Sequence, residues 1–280
     1  MAARLHTHPG MRSSAWWVLA LVAVGCAPAG ADDASSDDTS SAITRGAEDR
    51  ATKAVVALEI GNEDGSGVVI APGVVLTAAH VVHPSFVGNY TYVYISNAPD
   101  LATAKWLRVA RQNVHIHPSF DPAHAGQGHD FAIVTFPRAD LDVTPIPLRL
   151  TSLDDSIVNA PLRIVGYGMT RPRARDAGTR RSASTVVRSI EEQLLVVGRQ
   201  GDAQQCHGDS GGPALVTTPE GERVVAIASF VLASDPSCWR GSYSGRVDAN
   251  LDFIAPFLPL GAEAADGGAP DAALEASTND

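Results

Sequence analysis

The chain has 280 residues, 45% of them hydrophobic and 19% charged, so it can bury a sizeable core and is neither disordered overall nor fibrous. Its formal charge of −10 excludes the basic surface that a nucleic-acid partner requires. Much of that charge sits in two flanks, Asp32, Asp33, Asp37 and Asp38 before residue 43 and Glu263, Asp266, Asp271, Glu275 and Asp280 after residue 260.

At the N-terminus, Arg4 and Arg12 precede the apolar run AWWVLALVAVG at 15–25. As a helix this run spans about 16 Å, roughly half a bilayer core, which fits an export signal and not a spanning anchor. Gly25-Cys26 closes the run and resembles a bacterial lipobox, in which Cys26 would be lipidated and tether the chain to an outer membrane. Ordinary cleavage after Ala29-Gly30-Ala31 is the alternative and would release a free periplasmic or secreted protein. Both readings place the mature chain where disulfides persist. Of the three cysteines, Cys206 and Cys238 then remain as one possible pair.

This divides the chain into a signal at 1–26, an acidic linker or propeptide at 27–42, a folded domain at 43–260 and an acidic tail at 261–280 with almost nothing to bury. In the domain, short β-prone runs follow one another: KAVVALEI, SGVVIA, GVVLTAA, YTYVYIS, LRVARQNVHIH, DFAIVTF, PLRIVGYG, EEQLLVV, GPALVTT, RVVAIASF and YSGRV. Turn formers such as Ala71-Pro72-Gly73 and Asn97-Ala98-Pro99-Asp100 separate them, and no helices of ten residues alternate with them, which predicts an antiparallel all-β barrel or sandwich. The Arg-rich stretch 171–181 reads as a solvated loop. One amphipathic helix is predicted at 247–258, where Val247, Leu251, Ile254, Phe257 and Leu258 share a face.

Three segments carry chemistry: LTAAH ending at His80, HDFAIVTF with Asp130, and CHGDSGGP with Ser210. A lone histidine after a strand is more often structural, and an aspartate opening a strand more often a cap. GDSGGP is more specific, because glycines around a serine let the backbone take a tight turn and a substrate come close. Together, in the order His, Asp, Ser, the motifs resemble the chymotrypsin-like (trypsin-like) serine protease family over residues 43–259. IAPGVVLTAAHVV, VHIHPSFDP, IVGYG, IASF and GSYSGRV extend the resemblance beyond the three residues.

The resemblance implies two antiparallel six-stranded β-barrels with a C-terminal helix, in a monomer that acts on proteins or peptides and needs no cofactor or metal. Ser210 would be the nucleophile, His80 the base and Asp130 the group that orients it. The backbone N–H groups of Gly208 and Ser210 would form the oxyanion hole. Cys206 and Cys238 would be the disulfide flanking the specificity pocket. Counting from Ser210 sets Gln204 at the pocket base and Val231 and Gly241 on its walls, with Ser229 and Val231 pairing to an extended substrate. A base without a carboxylate does not suit lysine or arginine, so cleavage after small or medium uncharged residues is expected. Ile43 would be the new terminus after activation and Asp209 its buried partner, although Ala42 stands where a basic residue is common. Val81 and the stretch Gly65-Ser66-Gly67 lack the cysteines usual beside the histidine, which leaves packing to position His80.

Other readings compete. His115, His117, His124 and His129 suggest zinc, yet the resemblance already accounts for their stretch. A carboxylesterase would need a G-x-S-x-G elbow and a different residue order. A protease fold that has lost catalysis and binds a partner through its loops is the remaining alternative.

Overall fold

The computed structural model describes residues 43–61, 63–171, 173–231 and 238–259. The expected signal, Cys26, the linker and the tail lie outside the described residues. Fourteen strands occur among the described residues, in two antiparallel sheets that curl into barrels.

A two-residue strand, β1 (Ala47–Glu48), leads into the first barrel, which comprises β2 (Val55–Ile60), β3 (Glu63–Ala71), β4 (Val74–Thr77), β5 (Tyr92–Ser96), β6 (Leu107–Ala110), β7 (Val114–Ile116) and β8 (Ala132–Thr135). Its order is β6-β5-β2-β3-β4-β8-β7. The predicted run 107–117 is here two strands, because a 3-10 turn at Arg111–Asn113 breaks it. One half pairs with β5 and the other with β8, so a single bent course of chain serves both ends of the sheet. That bend converts the six expected strands into seven.

The second barrel has β9 (Pro161–Gly166), β10 (Arg181–Ile190), β11 (Leu194–Val197), β12 (Pro213–Thr218), β13 (Gly221–Val231) and β14 (Ser242–Arg246), with β1 added at the edge of β10. A pairing of β10 with β9 closes it. β10 is the strand that the sequence does not announce. RSASTVVRSI is rich in serine, and most of its residues are only half-buried. Three partner strands along its length, β1, β9 and β11, supply the hydrogen bonds that its own propensity does not.

Valine and isoleucine fill both interiors, with Val55, Leu58, Val68, Leu76, Ile95 and Ile133 in the first and Ile43, Ile164, Leu195, Val197 and Val225 in the second. Such β-branched runs are buried on closed sheets because their side chains pack well on a pleated surface. The predicted helix at 247–258 is a short composite: a 3-10 turn at 248–250, α-helix at Leu251–Ile254, then a 3-10 turn at 255–257. Pro256 lacks the N–H that would continue an α-helical ladder. The Arg-rich stretch departs most from expectation. Arg180 is fully buried, because Asp49, Val55 and Asn97 turn backbone carbonyls toward its guanidinium.

Candidate active site

His80 lies on a four-residue helix, Ala79–Val82, that directly follows β4. Asp130 stands just before β8, the neighbour of β4 in the sheet, so pairing of these strands brings the two residues together. His80 Nδ1 lies 2.7 Å from Asp130 Oδ2, and the His80 backbone N–H donates to Oδ1 at 2.9 Å. Ser229 Oγ donates to Oδ2 as well. The β13–β14 register slips between Ala228 and Phe230, a bulge that re-aims the intervening Ser229.

Asp130 is 1% exposed. Burial alone would raise its pKa, but the His80 imidazole and the hydrogen bonds from His80 and Ser229 outweigh it and hold the carboxyl below the ordinary range. An ionised carboxylate only accepts, so Nδ1 must carry a hydrogen, and in the neutral imidazole the lone pair is then on Nε2. The neutral form of the half-buried His80 thus has a fixed tautomer, and the residue borders a cavity of about 290 Å³ that Ser210 also lines.

The loop carrying Ser210 is anchored by the first barrel. The Ser66 N–H donates to Ser210 O at 2.8 Å, and Ser66 Oγ donates to Gly208 O at 2.9 Å while accepting from the Tyr167 N–H at 3.0 Å. Gly211 has φ +82°, and a Cβ there would collide with Ser66 O and Thr77 Oγ1. The turn therefore requires glycine after the serine. Among the described residues, neither the Gly208 nor the Ser210 N–H donates to another backbone group. Gly208 borders a neighbouring cavity with Gly65 and Tyr167.

The other expected residues fall into place unevenly. Cys206 and Cys238 are joined by a disulfide. Ser229 and Val231 line the cavity, together with Gln205, Ser242 and Tyr243. Gln204 and Gly241 are not among its lining residues. Gln204 is fully buried, and its Nε2 donates to Arg199 O at 2.6 Å, which turns the amide away. Counting back from Ser210 singled out Gln204, whereas the chain presents its neighbour. Phe86 was also missed. It is 47% exposed on a helix begun by Pro84, lines the cavity, and sets its ring edge against His80 with centroids 6.1 Å apart. Only the bulk of a lone phenylalanine six residues after His80 could have signalled it.

Asp209 is fully enclosed. Its Oδ1 accepts from the Gly168 N–H at 2.8 Å and its Oδ2 from the Cys206 N–H at 2.9 Å, and no cation forms an ion pair with it among the described residues. Burial raises its pKa to about 7, against those two hydrogen bonds and the charge of Arg181. Ile43 is buried in the second barrel's core, and Thr44 exchanges hydrogen bonds with Gln204, its N–H donating to Gln204 O at 3.0 Å.

The four histidines considered for zinc do not gather into one cluster of ligands among the described residues. His124 pairs with Asp121, His115 packs on Phe257, and His117 stacks on His129 with centroids 4.6 Å apart. Among the described residues, Cys206, His207 and Cys238 do bring three potential ligands together, but the disulfide occupies both sulfurs.

The family model described as Trypsin matches residues 43–253. The chain belongs to the trypsin family. Within the trypsin family, it is 30% identical over 161 residues to a CLIP domain-containing serine protease B10 of Anopheles gambiae, covering 50% of this chain and 42% of that protein. Serine protease 7 of Drosophila melanogaster is 27% identical over 211 residues, covering 64% and 54% respectively. A trypsin of Saccharopolyspora erythraea is 25% identical over 219 residues, covering 72% of this chain and 90% of the relative. The chain thus spans about half the length of the first two relatives. Among the described residues, no helix is long and apolar enough to cross a membrane.

Proposed function

We propose that the protein is a serine endopeptidase that hydrolyses peptide bonds through an acyl-enzyme on Ser210. The observation that carries this reading is the buried Asp130 carboxylate fixing His80 Nδ1 at 2.7 Å, with Ser210 on the same cavity. In the first half-reaction, Ser210 Oγ bonds to the scissile carbonyl carbon while His80 Nε2 takes the hydroxyl proton. The oxyanion is met by the Gly208 and Ser210 N–H groups, each such donor typically being worth about 3 kcal/mol of barrier. His80 then returns the proton to the departing amine, and water repeats the sequence on the ester. Asp130 stays ionised throughout and stabilises the imidazolium. The extended substrate pairs with the edge of β13 at Ser229 and Val231. Peptides and proteins are the substrates, and small or medium uncharged residues precede the cleaved bond.

Maturation is by cleavage before Ile43, whose new ammonium pairs with Asp209. Export precedes it, with Cys26 either lipidated as a membrane tether or discarded with the signal; mass analysis of the mature N-terminus distinguishes these. A fluorophosphonate probe tests the central reading. It should label the processed protein at Ser210, and Ser210→Ala or His80→Ala should lower turnover by several orders of magnitude, since the members act as a unit. A processed protein that neither labels nor cleaves would instead be a binding module on a protease fold.

A further inference from the structure

Gln205 lines the cavity beside Ser210 and is 3% exposed. Its side-chain oxygen is occupied on both lone pairs, by Ser242 Oγ and Ser244 Oγ, each at 2.9 Å. These serines are alternate residues of β14, so both hydroxyls lie on one face and meet the same end of the amide. The opposite end, Nε2, is consequently held away from them; it is buried and has no acceptor among the described residues. Five buried side-chain atoms lack a partner among the described residues, and Gln205 Nε2 alone belongs to a residue lining this cavity. A buried donor without an acceptor is unfavourable until a ligand supplies one.

The chemistry of that ligand follows from the rest of the wall. Among the described residues the cavity is lined by no lysine or arginine, so a buried carboxylate would lack a fixed cation there. Among the described lining residues a buried lysine or arginine would find no free carboxylate either, because Asp130 is committed to His80 and Ser229. Ala228 and the Phe230 and Tyr243 side chains give the cavity apolar surface for a methylene stem. We infer that the cavity selects a glutamine or asparagine side chain at the residue whose carbonyl Ser210 attacks, with Gln205 as the specificity-determining residue. Its Nε2 donates to the substrate's carboxamide oxygen. The inference rests on the serine endopeptidase reading and names the substrate class for that site.

The test uses the processed protein and fluorogenic peptides that differ only at this position: Gln, Glu, Met and Lys. Met has the length of Gln without its acceptor. The Gln peptide should exceed each of the others by at least about tenfold in kcat/KM, as expected where a site built for a hydrogen bond meets an analogue lacking it. In Gln205→Leu the Gln-to-Met ratio should fall by about tenfold or more. That ratio is read within one preparation, so partial misfolding cancels. Gln205→Glu should raise Lys relative to Gln. Equal cleavage of Gln and Met by the wild type, or an unchanged ratio in Gln205→Leu, overturns the inference while fluorophosphonate labelling leaves the endopeptidase reading standing. If the processed protein neither labels nor cleaves any peptide, the endopeptidase reading fails and the inference falls with it.

Discussion

Asp209 sits beside the residue on which the proposed chemistry depends, in a place where a lone carboxylate is poorly tolerated. Burial lifts its pKa from the usual 3.8 to about 7. The sign of the stability effect follows. The folded chain holds this proton more tightly than the unfolded chain, so Asp209 costs no stability below about pH 4. It subtracts progressively from stability as pH rises toward 7. In protein retaining residues before Ile43, the thermal midpoint of Asp209→Asn should therefore gain on the wild type across this window and run parallel to it below pH 4. Cleavage before Ile43 should lower the carboxyl pKa and abolish the gain, because an adjacent ammonium favours the ionised form. Midpoints that shift identically with pH in all these proteins would show that Asp209 does not titrate in this range.

The helix bearing His80 has only four residues and no side-chain cap at its N-terminus, so it owes its position to packing. Val81, in the place where a cysteine was expected, packs over β3. A Cβ added to Gly65 would come within 2.5 Å of Val81 Cγ1 and 3.4 Å of Ser210 O. The valine fills the space that the absent bridge would occupy and ties the His80 helix to the strand supporting the serine loop. Gly65→Ala should therefore destabilise by about 1–3 kcal/mol through overpacking. Trimming the neighbour should relieve this, so the double variant Gly65→Ala, Val81→Ala should be at least about 1 kcal/mol more stable than the sum of the single effects. Urea titration of the four proteins reads the cycle, and strict additivity would mean that the two residues do not share this space.

Across the whole molecule, Arg180 joins one barrel to the other. It leads into β10, yet its Nε donates to Asp49 O at 2.9 Å and its Nη1 to Val55 O at 3.1 Å and Asn97 O at 2.9 Å, all outside the second barrel. Nη1 also donates to the Tyr167 hydroxyl at 3.0 Å, and burial pushes that phenol's pKa up to about 12. Arg180→Met keeps much of the volume and removes a donor from each of three carbonyls, of which those of Asp49 and Val55 are buried. It should lower the urea midpoint by the equivalent of about 2–4 kcal/mol without changing the denaturant slope. Since His80 comes from one barrel and Ser210 from the other, turnover should fall as well. Unaltered stability and turnover would mean that the barrels are held by other contacts.

Much of this was written in the sequence, and the reason is local. β-branched runs between turn formers specify strands wherever they sit, and LTAAH and GDSGGP carry their geometry in adjacent residues, including the glycine at 211 that the turn demands. Three motifs in order therefore sufficed to identify the family, and the cysteine count left Cys206 and Cys238 as a pair. What the sequence withheld depends on partners distant along the chain. β10 has weak propensity and exists through the strands around it. The course 107–117 splits because β5 and β8 claim its two halves. Arg180 looked solvated because its charge was visible and the carbonyls that enclose it, up to 131 residues away, were not. Gln204 and Gln205 are chemically identical neighbours, and partners such as the serines of β14 and the carbonyls of Arg199 and Asp202 decide which of them faces the cavity. A side chain's type is a property of the sequence, but its direction is set by the hydrogen-bond partners that the tertiary structure brings to it.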